Sequence, residues 1–66
     1  MITPSPADLL ACAEREVRMR DRVYPRWVQI GRMTQAKADH EIACMKEIAD
    51  LLRQQVPAEP AQGDLL

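Results

Sequence analysis

Arg22, Arg26 and Arg32 surround the only tyrosine and the only tryptophan of the chain, Tyr24 and Trp27. A guanidinium group is a planar fork of donors that grips phosphate or carboxylate oxygens two at a time, and an aromatic face stacks on a nucleobase. Arg18 lies one helical turn before Arg22 and joins the set. Arg18, Arg22, Tyr24, Arg26, Trp27 and Arg32 therefore form the candidate ligand-binding group, suited to an anion such as a nucleotide signal or a nucleic acid. No glycine-rich phosphate loop accompanies them. The same residue types are enriched at binding hot spots, so the alternative is a protein–protein inhibitor or adaptor that caps a host protein. They also have a purely structural use, in which Tyr24, Trp27, Val28 and Met33 pack as a miniature core and the arginines cover them.

Covalent chemistry has weaker support. A nucleophile needs a base to activate it and a third group to orient the base. Cys12 and Cys44 are the candidate nucleophiles, and His40, one turn before Cys44, is the only histidine. Both cysteines lie beside apolar helical positions, where a thiol behaves as a small hydrophobe. No catalytic residue is assigned, and the chain is read as non-enzymatic. His40 and Cys44 supply two of the four ligands of a tetrahedral metal site, and a symmetric dimer would have to supply the rest. Without a Cys-x-x-Cys pair or a second histidine, no metal and no cofactor is expected.

These groups must be positioned by a very small scaffold. Sixty-six residues make one domain, which buries only about 60% of the surface that its unfolded chain exposes. Such chains are supported by disulfides, a metal or oligomerisation, and two cysteines are too few for a disulfide framework. The absence of Phe, the two Gly and the abundance of Ala, Leu, Met, Glu, Arg and Gln favour helix. The net charge of −1 conceals a basic middle and a more acidic later part. No signal-like opening and no apolar run of roughly 18 residues is present, so the expectation is a protein of the cytoplasm with no membrane partner and reduced thiols.

Residues 1–5 read as an extended lead. Ser5 caps a helix that starts at Pro6 and carries Asp8 near its positive end. The first helix is expected over about 6–23, with Leu10, Ala13, Val17 and Tyr24 on one stripe that also takes in Arg20. Leu9, Cys12, Met19 and Val23 form a neighbouring stripe. Arg15, Arg18 and Arg22 share another side, where Glu14–Arg18 and Arg18–Asp21 pairs would make an ordinary solvated face. Pro25 lacks an N–H and biases Tyr24 away from the α region, so the helix should end there and a short corner helix should follow over about 25–30. Gly31 closes that corner and Thr34 caps a long helix over about 34–55.

Ala38, Ile42, Met45, Ala49, Leu52 and Val56 recur at alternating spacings of four and three, a heptad-like seam expected to be the oligomer interface. Lys37–Glu41 and Lys46–Asp50 are available as pairs along the same helix. A helix-turn-helix reader of DNA is disfavoured, because the second helix is acidic and would meet phosphates with the wrong sign. The domain closes at Val56, and residues 57–66, rich in Pro, Ala and polar groups, read as a mobile tail.

The segment WVQIGRMTQAKADHEIACMKEI resembles the helical hairpin of the short SHOCT oligomerisation domains, which implies helical assembly. MRDRVYPRWVQIGRMTQAKAD, followed by EIACM, is similar to short uncharacterised proteins encoded by phages and prophages, with their Arg-Val-Tyr-Pro-Xaa-Trp-Val block before Gly-Arg-Met-Thr. That resemblance implies an accessory protein acting inside a bacterial host, such as an antagonist of host defence, and assigns no functional residues. The expected architecture is an all-α helical hairpin with a kinked corner, assembled as a homo-oligomer.

Overall fold

A computed structural model describes residues 3–57, which form two helices, α1 (Pro6–Gln29) and α2 (Gln35–Gln55), packed against each other as a hairpin. Among the described residues there is no strand. The expected mobile tail lies, from residue 58 on, outside the described residues, as do Met1 and Ile2.

The start of α1 is closed by a reciprocal pair of hydrogen bonds. Asp8 N–H donates to Ser5 Oγ at 3.1 Å, and Ser5 N–H donates to the Asp8 carboxylate at 3.0 Å. With Pro6 at the first helical position, the start of the helix is set by local chemistry alone. Thr34 does the same for α2, its Oγ1 accepting from Lys37 N–H at 3.1 Å.

The expected break at Pro25 is not there. α1 runs through Pro25 to Gln29, so the separate corner helix over 25–30 is the last turn of α1. A proline inside a helix costs about 3 kcal/mol, because it removes one hydrogen bond and crowds the carbonyl four residues back. That carbonyl belongs to Asp21, and both Asp21 and Pro25 are exposed, so the freed oxygen opens to solvent. Continuing the helix brings Tyr24 and Trp27 into a stack, with ring centroids 5.4 Å apart, and lets Arg20 and Arg32 cap its two ends. One aromatic pair and two cation–π contacts contribute together about 1.5–3.5 kcal/mol, which offsets the proline.

The helix ends at Gly31 instead. Gly31 has φ +78°, its N–H donates to the Val28 carbonyl at 3.1 Å, and Arg32 N–H donates to the Trp27 carbonyl at 2.8 Å. These two bonds make a Schellman closure, in which the residue after the glycine is folded back over the helix's last turn. A hydrophobic contact usually occupies that place; here it is the Arg32 guanidinium over the Trp27 ring, 5.8 Å from its centroid.

The interior is small. Among the described residues, Ala13 on α1 and Ala38 and Ala49 on α2 are the buried ones, and no large side chain is fully buried. Small residues let the two helices approach closely. The residues read as an oligomer seam are thereby already covered by α1 of the same chain: Ala38 and Ala49 are buried, and Ile42, Met45, Leu52 and Val56 are half-buried.

Candidate functional site

Arg20 holds the hairpin together in its middle. Its Nε donates to Glu16 at 3.0 Å, and its Nη1 crosses to α2 to donate to the main-chain carbonyl of Glu41 at 2.8 Å, with the Glu41 carboxylate 3.6 Å away. It lies on the stripe of Ala13, Val17 and Tyr24, and an arginine on such a stripe was the sequence's signal for it. The hydrogen bond to Glu16 holds the Arg20 guanidinium above its ordinary range, against the opposing effect of desolvation. A raised arginine pKa means that this stabilisation is complete below the ordinary arginine range and is lost only as pH climbs through the raised value. The arginine side of the bridge is therefore insensitive to physiological pH.

The nine cations divide into two groups by position. Arg20 pairs with Glu16 and Glu41, Lys37 with Glu41 at 3.5 Å, Lys46 with Asp21 at 3.7 Å, and Arg53 with Glu14 at 2.8 Å and with Asp50. Among the described residues, Arg15, Arg18, Arg22, Arg26 and Arg32 form no ion pair with a carboxylate. The Glu14–Arg18 and Arg18–Asp21 pairs expected along α1 do not form. Glu14 and Asp21 reach across to Arg53 and Lys46 of α2 instead, where a pair ties two helices together. Lys46 is thereby drawn from Asp50, which Arg53 takes.

Arg18, Arg22 and Arg26 follow one another at intervals of four along an unbroken helix, so they stand on one side of it, and all three are exposed. Arg15 begins the same ridge and donates to Cys12 Sγ at 3.3 Å. Tyr24 and Trp27 fall elsewhere on the helix, half-buried on its inner side with Arg20. The group picked out in the sequence is thus split in two: an outer arginine ridge, and an inner stack in the order Arg20, Tyr24, Trp27, Arg32. Of the six residues named, Tyr24, Trp27 and Arg32 touch in the stack, while Arg18, Arg22 and Arg26 share the ridge. Continuity through Pro25 causes the split, because it fixes residues 22 to 27 in helical phase.

Beside the turn, Gly31, Arg32, Met33, Thr34 and Lys37 line a shallow, open concavity. Cys44 Sγ and His40 Nε2 are 3.5 Å apart and both residues are exposed. Among the described residues no three His, Cys, Asp or Glu side chains gather as a metal site. No helix among them is long and apolar enough to cross a membrane. Neither a family model, nor a curated protein, nor a solved structure matches this chain significantly.

Proposed function

We propose that this protein is a non-enzymatic binder of an anionic polymer, nucleic acid in the first place, held along the arginine ridge of α1. The supporting observation is the division of the cations. Those on α2 are neutralised within the chain, whereas among the described residues Arg15, Arg18, Arg22 and Arg26 pair with no carboxylate on one helix side and Arg32 adds a fifth at the turn. From Arg15 to Arg26 the ridge covers about 16 Å of helix axis. A line of guanidinium groups matches a line of phosphates, while a single nucleotide calls for groups converging on a concavity. Tyr24 and Trp27 stack on each other, so binding draws on the phosphates and tolerates any base sequence.

In this reading the chain is an accessory protein of a bacterial host's cytoplasm, working as a homo-oligomer by sequestration. The competing reading is capture of a host protein through the same arginine, tyrosine and tryptophan surface, in which Tyr24 and Trp27 are half-buried. Fluorescence anisotropy with a labelled single-stranded oligonucleotide tests the proposal, with mononucleotides as competitors. Binding that weakens steeply with salt and resists mononucleotides is expected. Arg26→Ala should weaken binding with unchanged helicity, whereas Trp27→Ala should lower stability. Equal competition by mononucleotides, or no binding to any nucleic acid beside a stoichiometric acidic host protein in a pull-down, overturns it.

A further inference from the structure

The hairpin has two broad faces that differ in kind. One is crossed by the Arg53–Glu14 and Lys46–Asp21 pairs, and its groove is lined by Glu14, Val17, Arg18, Lys46, Ala49, Asp50 and Arg53. The other carries a groove lined by Leu9, Cys12, Ala13, Glu16, Met45, Ile48 and Leu52, in which the only charged side chain is Glu16, already bonded to Arg20. On that second face Leu9 and Ile48 are each 45% exposed.

We infer that this second, apolar face is where a second copy of the chain docks, closing a two-fold, four-helix dimer over the groove of Leu9, Cys12, Met45, Ile48 and Leu52. The inference rests on the assembly part of the reading above and is independent of the anion part. The first argument is the core. Among the described residues only three alanines are buried, which is less apolar area than keeps a domain of this size folded by itself. The missing core is half present on this face and a copy supplies the other half.

The second argument is charge. A two-fold contact sets each patch against itself. The ion-paired face would crowd its own charges together, whereas the apolar face brings Glu16, which Arg20 already pairs, and at its edge the Arg15 guanidinium that donates to Cys12 Sγ. Arg22 and Arg26, which form no ion pair among the described residues, lie on the outer side of α1 and stay in solvent on both copies, and Arg18 lines the opposite, ion-paired groove. The third argument is area. Two helices about 30 Å long and about 10 Å apart offer some 600 Å² in projection, so a dimer removes about 1,200 Å² or more in total, within the range of specific interfaces. This face shares Met45 and Leu52 with the heptad-like seam, whose Ala38 and Ala49 α1 already buries.

The two cysteines provide an internal test in the intact chain. Cys12 lines the groove and Cys44 does not, and both are exposed in the single chain. Sedimentation should give twice the chain mass at about 100 μM. Alkylation followed by mass spectrometry should find Cys12 at least about tenfold slower than Cys44 at that concentration, the two rates converging on dilution. Ile48→Lys and Leu9→Lys, which replace side chains exposed in the single chain, should shift the protein to monomer, while Ile30→Lys at the turn leaves the mass unchanged. A dimer that survives both groove substitutions overturns this face while leaving assembly intact. A monomer at 100 μM with both cysteines equally reactive overturns assembly as well. A monomer whose Cys12 stays slow at every concentration means that residues 58–66 of the same chain cover the groove, and equally overturns the proposal.

Discussion

The guanidinium of Arg20 on α1 donates to the main-chain carbonyl of Glu41 on α2 at 2.8 Å, a side-chain bond to a carbonyl inside the other helix. It ties the helices midway along a hairpin whose apolar interior is too thin to hold them alone. Arg20→Lys keeps the charge but replaces a fork that reaches Glu16 and Glu41 together by a single point donor. The expected loss is about 1.5–3 kcal/mol in urea unfolding followed by circular dichroism, the range for hydrogen bonds to charged groups. A variant as stable as the parent would remove Arg20 from its place as the bridge.

Gly31 stands at φ +78°, and a methyl group built on it meets nothing within 4 Å. The cost of Gly31→Ala is therefore conformational alone, about 1–2 kcal/mol. Gly31→Asn should recover part of it, since Asn tolerates the left-handed region better. Thermal unfolding of the three proteins should rank them Gly, Asn, Ala. An alanine variant equal to the parent contradicts the Schellman closure.

Pro25 sits on the outer side of a continuous helix. Pro25→Ala restores the bond to the Asp21 carbonyl and removes the clash, so it should raise stability by about 1–3 kcal/mol with helicity equal or higher. A corner that depended on the proline would respond in the opposite way, losing stability when it is replaced.

Most of the fold was legible because it is written locally. Ser5, Pro6 and Asp8 announce the start of α1, Thr34 that of α2, and Gly31 the turn between them. The stripe of Ala13, Val17, Arg20 and Tyr24 faces α2 as its spacing required. Pro25 misled because its penalty is local and large, while what outweighs it, the stack of Tyr24 with Trp27 and their two arginine caps, exists only once the helix has continued. The arrangement of the candidate residues turns on the same feature. With a break at Pro25, Arg26 and Trp27 would start a new phase; without it, Arg26 joins the ridge of Arg18 and Arg22 and Trp27 turns inward. The cross-helix pairs of Glu14 and Asp21 were equally out of reach, since their partners lie on α2 and spacing along one helix reveals only partners within it.

The central claim is that the unpaired arginines of α1 hold the phosphates of a nucleic acid, and its most direct test is the salt dependence of binding. Each phosphate contact to a single strand contributes about −0.7 to the slope of log K against log salt. With three to five arginines engaged, the parent should show a slope of about −2 to −3.5. Removing Arg18, Arg22 and Arg26 together, by Arg→Gln substitutions on an exposed face that should leave helicity and unfolding midpoint unchanged, should bring the slope about 2 units closer to zero. An unchanged slope in a folded triple variant would contradict the account.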